Sequence, residues 1–139
     1  MNYIEKPEKP QVLETGKYKG YKFYICFSKT CPTAYVKLDE GHPLYGIEPD
    51  IKDEGLDYSP NWGFTYSDNK LGYGIGYGAK DKGWFIGWDY GHSTDYDYFH
   101  SNSYNAEWGA RKWTLAEIEG ECMGVIDAIE RKVKYEIAK

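Results

Sequence analysis

Between Tyr21 and Ser28 the side chains alternate so regularly that the backbone is left with an extended strand. In "YKFYICFS", Tyr21, Phe23, Ile25 and Phe27 fall on one face and Lys22, Tyr24, Cys26 and Ser28 on the other. Two is the strand repeat, and an apolar face of this kind demands a second layer to cover it. "KTCPT" turns the chain, and "AYVKL" (34–38) supplies a second strand, so the pair is expected to form a hairpin. "WGFTYS" (62–67) is a third strand. "GWFIGWDY" (83–90) is another, with Trp84, Ile86, Trp88 and Tyr90 aligned opposite Phe85, Gly87 and Asp89. Between these two, "LGYGIGYG" (71–78) sets Leu71, Tyr73, Ile75 and Tyr77 against four glycines. A strand so bare on one side predicts another backbone, or a flat ligand, lying close against it.

The covering layer comes from the C-terminal part. Thr114 with Glu117 makes a capping box, and Trp113 with Ile118 a hydrophobic staple. Leu115, Ile118, Cys122, Val125, Ile129 and Val133 then trace one stripe, which predicts a helix over 114–137. Gly120 and Gly124, four apart, allow a neighbouring helix or strand to approach closely. The predicted class is therefore α+β: an antiparallel sheet of about five to six strands within 20–100, carrying a long C-terminal helix. Residues 1–15, with two prolines and alternating charges, read as an N-terminal arm, either loose or pairing with a sheet edge. Residues 16–139 form the single domain. A helix this long is expected to pack on a partner subunit, giving a homodimer or a multiple of one. The segment 39–61 is a long surface loop, and the stretch from His92 to Ala110 is polar, aromatic and irregular.

Composition narrows the function. The formal net charge is −5 and arginine occurs only as Arg111 and Arg131, so no basic groove for a nucleic acid polymer is available. The three cysteines form no CxxC pair, which predicts free thiols in a reducing compartment. No apolar run approaches a membrane span, so a soluble protein inside the cell is expected. Aromatic residues are 18% of the chain and fifteen of them are tyrosines, a supply of broad amphipathic surfaces suited to stacking.

The chemistry-bearing stretch is "WFIGWDYGHSTD" (84–95), where an aromatic strand gives way to Asp89, His92 and Asp95. Three readings compete. A metal could use His42, His92, His100, Cys31 and aspartates, but no pair has a recognised ligand spacing, and neither metal nor cofactor is expected. Paired carboxylates flanking His92 could serve a hydrolase, although no nucleophile elbow accompanies them. Recognition of an anion is the third, and Arg111 favours it. Arg111 and Lys112 stand just before the helix cap, where free N–H groups and the helix dipole favour negative charge and a guanidinium grips phosphate. Pairing of Arg111 with Glu107 or Glu117 is the plain alternative. A nucleotide fits the other residues: Trp84, Phe85 or Trp88 to stack a base, and Asp89, His92 and Asp95 to read the sugar or base edge.

In their order along the chain, "GHPLYG" (41–46), "GFTYS" (63–67), "WFIGWDYGHSTD" (84–95) and the arginine-led helix resemble a small-protein family widespread in phages and prophages. The chain is identified as similar to the anti-Thoeris sponges, over roughly residues 20 to 135. The resemblance implies a viral protein of immune evasion acting in the cytoplasm of the bacterial host. Such sponges sequester cyclic ADP-ribose isomers made by TIR-domain defence enzymes, and some also hold cyclic oligonucleotides. It further implies an antiparallel sheet with C-terminal helices, oligomers, and binding without cleavage. The rivals to capture are a hydrolase of the same signal and a protein–protein inhibitor of a defence enzyme that docks through its tyrosine-rich surface. The family's pre-helix arginine falls on Arg111, its stacking segment on Trp84 to Trp88, and its polar tail on Asp89, His92 and Asp95. Lys29 and Thr30 stand where a basic residue or histidine is expected, Trp62 where relatives carry histidine, and Tyr90 where they carry cysteine. The Lys29 contact is the one these departures put in question.

Overall fold

The computed structural model describes residues 2–50, 55–72, 75 and 81–138. Its centre is a five-stranded antiparallel sheet in the order β1-β2-β3-β5-β4. The strands are β1 (Gln11–Tyr18), β2 (Tyr21–Phe27), β3 (Pro32–Leu38), β4 (Tyr66–Asp68) and β5 (Trp84–Asp89). Two helices follow, α1 (Asn102–Glu107) and α2 (Leu115–Ala138). This is the α+β arrangement that strand alternation and the apolar stripe predict.

β1 and β2 form a hairpin whose two-residue turn has both central residues at positive φ, Lys19 at 51° and Gly20 at 84°. That geometry matches the right-handed twist of the strands, and glycine adopts it without steric cost. Of the two readings for residues 1–15, edge pairing is the one seen from Gln11 onward. Ile4 is buried as well, and its N–H donates to the Trp113 carbonyl at 2.9 Å. The β2–β3 pair forms in register from Phe23↔Val36 to Phe27↔Pro32.

Both sheet faces are covered. On one, Phe23, Ile25 and Phe27 of β2, Ala34, Val36 and Leu38 of β3, and Ile86 and Trp88 of β5 meet Ile118, Cys122, Val125, Ile126 and Ile129 of α2. The other holds a smaller cluster of Tyr24, Cys26, Tyr35 and Phe85 with Leu71 and Ile75. The capping box forms: the Glu117 N–H donates to Thr114 Oγ1 at 3.2 Å, and the Thr114 N–H to Glu117 Oε1 at 2.9 Å. Trp113 and Ile118 share the main core.

Three expectations are modified. The third strand is shorter than 62–67, running Tyr66–Asp68, because Trp62 and Gly63 both have positive φ and the Gly63 N–H closes a turn on the Pro60 carbonyl at 2.7 Å. The expected strand over 71–78 lies largely outside the described residues. Within it Leu71, Gly72 and Ile75 are not in a strand, and a Cβ on Gly72 would stand 2.5 Å from the Tyr66 ring. At that position the close neighbour is the protein's own aromatic ring rather than a ligand. The irregular stretch after His92 also contains α1, with Ser101 as N-cap accepting from the Tyr104 N–H.

Gly120 and Gly124 differ. A Cβ on Gly124 would meet the Tyr58 ring at 2.6 Å, whereas nothing lies within 4 Å of one on Gly120. Gly120→Ala will therefore stabilise the fold by up to about 1 kcal/mol, the helix-propensity gain. Gly124→Ala will destabilise it by about 1 kcal/mol or more as Tyr58 is displaced. Urea denaturation of the two variants will show opposite signs.

Candidate functional site

The polar end of β5 is organised by one carboxylate. Asp95 is only 5% exposed, yet three donors converge on it. Trp113 Nε1 donates to Oδ1 at 3.0 Å, the His92 N–H to Oδ2 at 3.0 Å, and Asn61 Nδ2 reaches both oxygens at 3.1 and 2.8 Å. The turn 92–95 closes through the Asp95 N–H on the His92 carbonyl at 2.9 Å. Main-chain bonds then pair this turn with the approach to α2: the Arg111 N–H donates to Thr94 O, and the Tyr96 N–H to Arg111 O, both at 2.9 Å. Asp95 is thus committed to holding loops together and offers no free oxygen to a ribose, contrary to the expected ligand role.

Asp89 and His92 do meet. His92 Nε2 lies 3.1 Å from Asp89 Oδ1, an ion-pair contact when the ring is protonated, though without hydrogen-bond alignment. Asp89 is otherwise held by Thr65 Oγ1 at 2.9 Å and the Gly91 N–H at 3.1 Å. Trp62 lies flat on His92, ring centroids 5.1 Å apart at 14°, with its Nε1 donating to Thr94 Oγ1 at 2.8 Å. Its φ of 59° is strained for a residue with a side chain. Cys31 borders the same region, and burial pushes its thiol up, away from the thiolate a nucleophile requires.

The expected stacking wall is not there. Trp88 is 1% exposed and Phe85 fully buried, because period-two alternation sends one into the core under α2 and the other into the cluster on the opposite face. Trp88 Nε1 donates to Tyr90 Oη at 2.8 Å, and Tyr90 in turn donates to Glu121. Trp84 is half-buried with its indole N–H on the Ile47 carbonyl at 2.8 Å. It sits at the other end of β5 from Asp89, roughly 17 Å away at the usual strand rise.

Arg111 and Lys112 do come together. They line one open cleft of about 450 Å³ with Tyr3, Tyr96, Asn102 and Glu117. The Arg111 guanidinium stacks over the Trp113 ring at 3.6 Å and donates to Glu117 Oε2 at 2.6 Å, the pairing named above as the plain alternative. Arg111, first, and then the Thr114 N–H hold the Glu117 carboxyl below its ordinary range. Lys112 Nζ donates to Glu5 at 2.6 Å and lies 4.7 Å from the Tyr96 ring centre. Behind Tyr96, Asn105 and Ala110, which both share, is a second cleft of about 500 Å³. His92, Asp95 and Asp97 line it together with Phe99, Tyr104 and Trp108. Lys29 is exposed in the β2–β3 turn, next to Thr30 and Cys31 on this cleft's wall.

Sequence reasoning missed Asn61, Trp62, Phe99, Tyr104 and Trp108. Ser101 ahead of a six-residue helix is a weak start signal, but the density of aromatics among polar residues from Tyr96 to Trp108 could have marked an exposed stacking surface. Among the described residues no group of three His, Cys, Asp or Glu could hold a metal ion, and no helix is long and apolar enough to cross a membrane. Compared with known proteins, the chain matches no family model, no curated protein and no solved structure.

Removing Asp95 strands the indole N–H of Trp113 and the Asn61 amide. Asp95→Ala will cost about 3 kcal/mol in urea denaturation, since hydrogen bonds to a charged group contribute roughly 1.5–3 kcal/mol each. An Asp97→Ala control will cost less.

His42 supplies a pH dependence. Its Nδ1 accepts the Leu44 N–H at 3.0 Å, so the neutral ring carries its proton on Nε2, 2.7 Å from Tyr21 Oη. Burial lowers the His42 pKa from its ordinary 6.5, and Glu130 and Asp39 offset only part of this. Protonation must place a second N–H against the Leu44 N–H. The folded state thus binds this proton less readily than the unfolded chain, and the contribution is present above 6.5 and lost as pH falls through the lowered folded value. Thermal melts will show a stability loss as pH falls from 6.5 toward that lowered value, which His42→Asn, keeping an acceptor for Leu44, reduces.

Proposed function

We infer that this chain captures an anionic, nucleotide-derived signal and holds it without cleaving it, as its resemblance to phage anti-defence sponges implies. The observation that carries this reading is the cleft at the start of α2, where Arg111 and Lys112 stand side by side with Tyr3 and Tyr96. In a chain with a net charge of −5, two adjacent cations on one concave surface favour phosphate over any basic ligand. Their present partners, Glu117 and Glu5, are solvent-exposed, and exposed pairs contribute only about 0–1 kcal/mol. A phosphate, with more acceptor oxygens than either carboxylate, displaces them at small cost. Tyr3, 43% exposed, offers a ring to a base, worth roughly 1–3 kcal/mol per stack.

Cyclic ADP-ribose isomers, which join a purine to two phosphates, fit this cleft in kind, and cyclic oligonucleotides share the same chemistry. Capture needs slow release and stoichiometric supply, and it uses no nucleophile. Action in the host cytoplasm and self-assembly into a dimer or larger oligomer belong to the same proposal. The exposed Ile137 near the end of α2 is consistent with a further contact there.

The contact of His92 with Asp89 favours a second reading, in which the chain hydrolyses the same signal. The two separate cleanly. Incubation with cyclic ADP-ribose isomers followed by heat denaturation will return intact ligand if the chain captures, and fragments if it hydrolyses. Arg111→Ala will weaken ligand binding by about 2 kcal/mol or more in calorimetry. Undiminished binding by Arg111→Ala and Lys112→Ala together would remove the anion seat from the explanation.

A further inference from the structure

We propose that the second cleft, on the far side of Tyr96, Asn105 and Ala110, receives an arginine side chain from a partner protein. Its chemistry is the reverse of the first. The lining contains Asp97 and the buried Asp95 and, among the described residues, no lysine or arginine. Its aromatic rings are unusually open: Trp108 is 70% exposed and Phe99 62%. Trp62, 58% exposed and stacked on His92, extends the same surface beyond the rim. Large exposed aromatics gathered around a concavity are the composition of an interface core rather than of ordinary surface.

The molecule itself shows what such rings accept. Arg111 lies over Trp113, Lys112 over Tyr96, and Lys6 Nζ sits 5.7 Å from the Phe99 ring centre. Among the described residues no cation lies over Trp108. α1 sets Tyr104 and Trp108 one turn apart, ring centroids 6.2 Å from each other, so one cation can reach both. Asp97 lines the same cleft: the Phe99 N–H donates to its Oδ1 at 2.9 Å, and His100, stacked on Tyr104, brings its Nε2 within 3.6 Å of Oδ2. The Asp97 side chain remains 45% exposed, so an incoming guanidinium competes only with an exposed histidine contact. A guanidinium is planar enough to lie on the indole while its N–H edge meets that carboxylate. An ammonium achieves only one of the two. Phe99 and Trp108 in the cleft, with Trp62 on His92 at its side, are more exposed rings than a single small cation engages, and the net negative charge steers a basic surface toward them.

The test uses the full chain, isotopically labelled, and a short peptide Gly-Ser-Arg-Ser-Gly with a citrulline counterpart of the same shape that is uncharged. The expected result is a saturable shift of the Trp108 indole signal with the arginine peptide and none with the citrulline peptide. Trp108→Ala, a surface change, will weaken binding about tenfold, and Asp97→Asn severalfold, whereas Arg111→Ala will leave it unchanged. The absence of any shift at millimolar peptide, equal shifts with citrulline, unchanged affinity in both Trp108→Ala and Asp97→Asn, or a shift centred on Arg111 would each overturn the proposal.

Discussion

Asp95 sets the geometry on which both clefts depend. Burying a carboxylate is costly, and here three N–H donors from three separate segments offset that cost. Each donor is thereby fixed: Asn61 in the loop before β4, His92 in the turn after β5, and Trp113 immediately before α2. Because Trp113 is pinned from beneath, its outer face is presented to Arg111, and the main-chain bonds between Thr94, Arg111 and Tyr96 set the rest of the register. The cationic cleft is therefore a consequence of a buried hydrogen-bond centre rather than of the helix terminus alone.

The same logic explains which aromatics are available to a ligand. Trp84, Phe85 and Trp88 belong to a strand in a sheet covered on both faces, so alternation can only choose which interior receives each ring. Trp88 is linked through Tyr90 to Glu121 of α2, which makes it a joint between layers. α1 is different. It buries a single residue, Asn105, whose amide bonds the carbonyls of Asp97 and Ser101 and whose oxygen accepts the Asp97 N–H. A helix anchored by one polar side chain leaves its aromatic neighbours facing outward.

What the amino-acid pattern revealed follows from where the free energy is concentrated. Alternation from Tyr21 to Phe27 and from Trp84 to Asp89, the α2 stripe and the Thr114–Glu117 box each express a single dominant periodicity or local bond, and all were legible. β1 was legible only in part, because an edge strand with mixed polarity owes its existence to pairing with β2. α1 is too short to carry a period, and Asn61, His92 and Trp113 converge on Asp95 from as far as 34 residues before it and 18 after it, which no local pattern encodes. The adjacency of Arg111 to the cap was readable. That Glu117 would turn its second oxygen to Arg111 was an open alternative, and geometry selected it.

That selection need not close the seat to a ligand. Glu117 divides its work between two oxygens: Oε1 accepts from the Thr114 N–H and hydroxyl, while Oε2 receives Arg111. An anion that draws the guanidinium away removes the contact at Oε2 alone, and the cap at Oε1 persists. The start of α2 therefore keeps its hydrogen bonds whether or not Arg111 is engaged elsewhere, so the arginine can change partners without loosening the helix. Arg111 is also stacked on Trp113, which already limits the rotamer freedom it would lose on gripping the proposed phosphate. In the capture proposed above, the intramolecular pair is a weak stand-in for the anion, holding the cation near the cleft at little energetic cost.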